Sequence, residues 1–218
     1  MDAEQRNTLL EHWQQLWREA GAMPGPALFD ALIDRYREPH RKYHTLQHLG
    51  ECLANFQQLA AVAAHPVEVG LALWFHDAIY DLGRHDNEAC SADWAHAEML
   101  AAGLPAAMAD RVADLILATC HNTTPVGIDA EVVVDIDLWI LGAPAGRFDE
   151  YERQVREEYG HLADEVFRVG RLGILQQFLE RPKLFSTAVF FEHHEGQARD
   201  NLSQSMAALT LANSDPRH

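Results

Sequence analysis

Cysteine is scarce in this chain. Cys52, Cys90 and Cys120 are the only three in 218 residues, and no Cys-x-x-Cys pair occurs. An odd, widely spaced set on apolar helix faces reads as reduced core thiols in a cytosolic protein rather than as a disulfide framework. Cations are also short: 17 Lys and Arg stand against 33 Asp and Glu, a formal charge of -16. That balance argues against DNA or RNA as the main partner, because neutralising a nucleic-acid backbone needs clustered cations. It leaves room for a small phosphorylated substrate, since a bound dication inverts the local field. No apolar run is long enough to cross a bilayer. The opening MDAEQRNTLLEHW carries acids and no apolar core, so a signal peptide is not expected. The expected location is the cytoplasm. Internal repeats, low-complexity tracts and domain-dividing linkers are absent as well.

What the sequence does have is helical periodicity. Leu9, Leu10, Trp13, Leu16 and Trp17 recur at three- and four-residue steps up to Gly21 and the Pro24-Gly25-Pro26 break. Further helices are expected over 27–36, 46–63, 67–80, 87–102 and 106–119, with loops at 81–86 and 121–127. The stretch EVVVDIDLWILG favours a strand at Val132–Val134, but its length and its two aspartates predict a helix running to Leu141. Helices over 148–159, 164–179 and 186–211 follow, and the tail 213–218 is expected to be disordered. The expectation is an all-α, single-domain helical bundle spanning 1–218. Its core lies at about 43–141, and the C-terminal helices, about 147–212, complete a pocket.

The densest chemistry lies in LALWFHDAIYD, where His76 and Asp77 interrupt an otherwise apolar run. Desolvating an unpaired carboxylate costs several kcal/mol or forces it to neutralise. Something positive must therefore face Asp77, and a neighbouring His that offers only a lone pair points to a metal ion. His44 and His48, four residues apart in RKYHTLQHLGECL, would project from one helix face. His48, His76, Asp77 and a later Asp would give a divalent ion mixed nitrogen and oxygen ligands. Asp135 and Asp137 compete for that last place, because two residues on a helix differ by about 200° in direction.

In this order the chain resembles the HD-domain metal-dependent phosphohydrolases: His, then His-Asp, then a distant Asp, on a helical bundle. The likeness runs from about Tyr43 to Leu141. Its wording (YHTLQHL, WFHDAIYD, NEACSA, DIDLWILG) is similar to a bacterial branch of predicted HD phosphohydrolases. The resemblance implies His48, His76, Asp77 and Asp137 as ligands and leaves Asp135 as a solvated or capping residue. The first segment is also similar to cyclic nucleotide phosphodiesterases, which would make His44 a general acid. The chain departs from the guanosine tetraphosphate hydrolases in lacking a Glu-Asp after the His-Asp pair, with Tyr80-Asp81 nearby instead. It also lacks the second His-rich block of two-metal cyclic-dinucleotide enzymes, although His121 could serve a second ion.

Glu88 and Asp81 are candidates for orienting water, and His44 or His121 for stabilising or protonating a leaving oxygen. Each also has a plain structural reading, as a helix-end or helix-start residue. Arg153, Arg156, Arg171 and Arg199 are candidate phosphate forks, none favoured individually. His193-His194 reads as a surface cluster. The function expected is hydrolysis of a nucleotide or other small phosphorylated metabolite, as a phosphomonoesterase or phosphodiesterase. The cofactor expected is a divalent metal left open among Mn, Co, Ni, Fe, Zn and Mg. Alternatives are a non-catalytic metal- and nucleotide-binding sensor and an HD-fold di-iron oxygenase. No membrane or nucleic-acid partner is expected, and the oligomeric state stays open, a homodimer included.

Overall fold

The computed structural model of the protein describes residues 3–211. Ten α-helices and one 3-10 segment account for its regular structure, with no strand among the described residues. The all-α expectation holds. No described helix is long and apolar enough to cross a membrane. The tail 213–218 lies outside the described residues. Contacts divide the chain into two compact units, residues 1–137 and 138–218.

The first unit holds α1 (Ala3–Ala20), α2 (Leu28–Arg35), α3 (Leu46–Leu59), α4 (Pro66–Phe75), α5 (Asn87–Ala101), α6 (Ala106–Ala118) and α7 (Ile128–Asp137). Helix α4 is its axis. Every residue from Glu68 to Phe75 is buried, as a helix apolar on all sides requires, and α1, α3, α5, α6 and α7 all pack on it. Close approach of α1 needs Gly70, where a Cβ would lie 2.7 Å from Leu16 Cδ2. Trp74, fully buried, meets the Trp13 and Phe29 rings at 5.0 and 6.0 Å between centroids. Its indole N–H donates to His12 Nδ1 at 3.1 Å.

Two polar links fix α4 in rotation and height. The guanidinium of Arg111 on α6 grips the buried Glu68 with two bonds of 2.7 and 2.5 Å. Asp129, in the first turn of α7, accepts from the backbone N–H groups of Ala64 and His65 and from His65 Nδ1, at 2.7, 3.1 and 2.8 Å. Pro66 then opens α4 at a position where a missing N–H costs nothing.

The expected helix over 67–80 stops at Phe75, leaving His76 and Asp77 in a turn just past its end. The expected helix running to Leu141 keeps α geometry only to Asp137, and Leu138–Gly142 is 3-10. It also begins earlier than expected, at Ile128. Helix α3 ends at Leu59, short of the expected Ala63.

The second unit contains that 3-10 segment with α8 (Ala145–Glu158), α9 (Asp164–Glu180) and α10 (Ala188–Leu211). Asn201 on α10 donates to the carbonyls of Leu141 and Ala143, satisfying the end of the 3-10 segment. Glu195 accepts from the backbone of Leu184 and Phe185 and pairs with Arg199. His194 of the expected surface cluster is half-buried against Phe185 and Phe190, while His193 is exposed.

Burial alone would raise the Asp129 carboxyl, but hydrogen bonds from the side chain and backbone of His65 and the backbone of Ala64 outweigh it and lower its pKa. A lowered carboxylate contributes stability above its unfolded pKa of about 4, and the contribution is lost as pH falls through the lower folded value. Asp129→Asn should cost about 1 kcal/mol at neutral pH, measured by urea unfolding. The gap between the two proteins should close below pH 4.

Candidate metal centre

His48 sits in the first turn of α3, which Thr45 opens by accepting from the Gln47 N–H at 3.2 Å. His44 therefore precedes the helix, and the expectation that His44 and His48 share one helix face is corrected. The two rings nevertheless lie 5.9 Å apart between centroids, because the turn brings His44 against Tyr80, stacked at 4.1 Å.

Past α4, the segment 76–80 has no helix to take its carbonyls, and side chains take them instead. The buried guanidinium of Arg41 donates to Asp77 O at 2.6 Å, Ala78 O at 3.2 Å and His44 O at 3.3 Å. Its Nε donates to Glu38 at 3.1 Å, and the Tyr36 and Tyr80 rings flank it. Burial pushes the Tyr36 phenol up to about 12, so it stays a donor, here to Trp74 O at 3.1 Å. Ser91 bonds the N–H of Ile79 and His40 bonds Tyr80 O, at 3.0 and 2.7 Å. The turn bearing His76 and Asp77 is thus held from both sides.

That scaffold brings four donor atoms together. His48 Nε2 and His76 Nε2 are 3.1 Å apart. Asp77 Oδ2 lies 3.1 Å from His76 Nε2 and 3.4 Å from His48 Nε2. Asp137 Oδ1 lies 3.2 Å from His48 Nε2 and 3.5 Å from His76 Nε2. Both histidines are buried. His76 Nδ1 faces Leu73 O at 2.9 Å. A carbonyl can only accept, so Nδ1 carries the proton and Nε2 presents its lone pair when the ring is neutral.

Two observations test whether these atoms fit an ion. Asp77 Oδ2 is buried without a hydrogen-bond partner despite its close neighbours, an arrangement that costs free energy unless a cation answers it. The separations also fit a coordination shell. Donors about 2.1 Å from an ion stand about 3.0 Å apart if octahedral and about 3.4 Å apart if tetrahedral. A group of His48, Cys52, His76 and Asp137 could hold a metal ion. One donor atom from each of these four lies within 4.8 Å of the others, so the group takes in Cys52 and not Asp77. The Cys52 sulfur is 3.8 and 3.7 Å from the two ring nitrogens of His48, so it flanks the ring rather than facing Nε2 alone.

The protons reflect the crowding. Burial works against charge on both imidazoles. The surroundings outweigh it and raise both well above the usual value: Cys52, Tyr43, Asp137 and Asp77 around His48, and Asp77, Tyr36 and Asp137 around His76. Burial would likewise raise the two carboxyls, yet both are held well below theirs. His76, His44 and His48 do this for Asp77, and His121, His48 and His76 for Asp137.

His121 Nε2 bonds Asp137 Oδ2 at 2.8 Å. Glu88, half-buried in the first turn of α5, interacts with the Cys120 thiol, which burial and then Glu88 raise. Asp81 is exposed, and its carboxylate accepts from Gly83 N at 2.8 Å within its own loop. Asp135 is fully buried, which corrects the expectation of a solvated or capping residue: α7 turns that side inward. Of the arginines, Arg156, Arg171 and Arg199 are tied to neighbours within the second unit, and Arg153 is exposed. All three thiols are free, but Cys90 is only half-buried and Cys120 lies beyond the end of α6.

Sequence reasoning missed Arg41, whose partners are backbone carbonyls that leave no pattern in a sequence. It also passed over Cys52, which stands four residues after His48 on α3, a spacing that places both on one face.

An ion needs deprotonated imidazoles, and the surroundings of His48 and His76 favour their protonated forms, so binding should release protons. Calorimetric titration of Mn2+ at pH 6.5, in buffers of different ionisation enthalpy, should show net proton release. Zero release would remove His48 and His76 from the ligand set. Compared with protein families, with curated proteins and with solved structures, the chain finds no match.

Proposed function

We propose that this chain is a metal-dependent phosphohydrolase of the HD type, a phosphomonoesterase or phosphodiesterase acting on a nucleotide or another small phosphorylated metabolite. The observation that carries the reading is the four-donor cluster of His48, His76, Asp77 and Asp137, with a buried carboxylate oxygen that has no hydrogen-bond partner. These residues would hold one divalent ion. A bound divalent ion polarises a phosphoryl oxygen and makes water a stronger nucleophile near neutral pH.

The protein's own residues supply the rest. The Arg41 clamp on Asp77 O and the Leu73 carbonyl behind His76 keep the donors aimed before substrate arrives, which spares reorganisation during reaction. His44 is half-buried at the edge of the cluster and steadied by the Tyr80 ring. It is the side chain best placed to hand a proton to a leaving oxygen. Glu88 is the remaining half-buried acid in the first turn of α5 and the candidate for orienting water. Phosphoryl transfer is mainly positioning and charge neutralisation, so few further groups are needed. A net charge of -16 fits a small substrate whose phosphate the ion would attract, and not a polymer.

The test is a nucleotide and phosphoester panel on protein stripped by chelator and then given Mn2+, Co2+, Ni2+ or Mg2+. Activity should return only with metal. His76→Ala and Asp77→Ala should lose both bound metal and at least about a thousandfold in rate. His44→Ala should retain metal and lose about a hundredfold. Tight nucleotide binding without turnover under every metal would instead support a sensor module.

A further inference from the structure

Four described residues have a left-handed backbone. Three are the glycines Gly21, Gly103 and Gly127, and the fourth is His121, with φ of 56°. Gly21 follows α1 and Gly103 follows α5, the ordinary use of glycine past a helix end. After α6 the chain turns through Thr119 and Cys120, whose N–H groups bond back to Ile116 O and Leu117 O. It then places an imidazole where the backbone favours glycine. A side chain with a Cβ is disfavoured there, and such strain persists where the surroundings impose it, often at functional sites.

What the conformation achieves is visible in the contact it makes. His121 Nε2 lies 2.8 Å from Asp137 Oδ2, while Asp137 Oδ1 faces His48 and His76 at 3.2 and 3.5 Å. An ionised carboxylate can only accept, so Nε2 carries the proton. One carboxylate oxygen is tied and the other is left turned to the cluster. Asp137 needs such a restraint. It is the last residue of α7, where the backbone tightens to 3-10 geometry and the helix dipole disfavours a negative charge.

We propose that His121 is a positioning residue. Its left-handed backbone at the end of α6 aims Nε2–H at Asp137 Oδ2 and so sets Oδ1 toward the metal centre. The proposal rests on the metal reading given above. It assigns His121 neither to a second ion nor to proton transfer to substrate. Outer partners of this kind typically change metal affinity by about 10- to 100-fold.

The backbone and the imidazole can be separated in the full-length chain. His121→Gln keeps an N–H at about the same reach. His121→Ala and His121→Gly both remove it, and only glycine suits the φ. Mn2+ affinity of chelator-stripped protein, read from free Mn2+ by electron paramagnetic resonance, should fall about 10- to 100-fold in both Ala and Gly. It should stay within about threefold of the unsubstituted chain in Gln. Thermal unfolding of the metal-free proteins should place Gly above Ala by about 2–4 °C. Affinity thus follows the donor, and stability follows the backbone.

Unchanged Mn2+ affinity in Ala and Gly, or affinity restored in Gly along with stability, would overturn the proposal. So would two equivalents of Mn2+ in the unsubstituted chain and one in Gln, which would make His121 a ligand. An unsubstituted chain that takes up no Mn2+ would overturn the metal reading and this proposal together.

Discussion

Two imidazole nitrogens and two carboxylate oxygens, drawn from α3, the turn after α4 and the end of α7, stand 3.1–3.5 Å from one another across the nitrogen–nitrogen and nitrogen–oxygen pairs. Bringing such groups out of water is costly unless their charges are matched. Protons can match them in part, which is why both histidines are pushed up and both aspartates down. The histidines approach Asp77 Oδ2 at 3.1 and 3.4 Å without making a well-directed hydrogen bond to it. A cation among the four would answer both demands at once, and the neighbouring side chains keep the four atoms in place.

That organisation is unusually dependent on side chains bonding to backbone. Trp74 O, Asp77 O, Ala78 O and Tyr80 O are taken by Tyr36, Arg41 and His40 rather than by continued helix. Arg41 serves three carbonyls from a buried position. The end of α4 is therefore a fixed ledge carrying His76 and Asp77, while Asp137 is hydrogen-bonded by His121. Polar networks of this sort trade stability for geometry, and geometry is what an ion's ligands require.

Helix positions were readable from periodicity because apolar spacing and Gly/Pro breaks act locally, and most ends agree within a few residues. The failures were also local in form and distant in cause. The helix expected over 67–80 ends at Phe75 because Arg41, Tyr36 and Ser91 reward a turn there, and none of the three is near in sequence. The 3-10 tightening after Asp137 is stabilised within the second unit by Asn201 on the Leu141 and Ala143 carbonyls. His48, His76, Asp77 and Asp137 stood out because their residue types make sense together, and the fold brings them within 3.1–3.5 Å across the nitrogen–nitrogen and nitrogen–oxygen pairs. The strain at His121 did not stand out, since a dihedral angle leaves no trace in residue type unless the residue is glycine. Asp135 was misjudged because the direction of α7 had to be known before its inward face could be.

Whether one ion sits among those four atoms can be seen directly. Crystals soaked in Mn2+, with diffraction collected on either side of the manganese absorption edge, locate it directly. The prediction is one anomalous peak within about 2.3 Å of His48 Nε2, His76 Nε2, an Asp77 oxygen and Asp137 Oδ1. Full Mn2+ occupancy elsewhere, or no peak among these side chains, would contradict it.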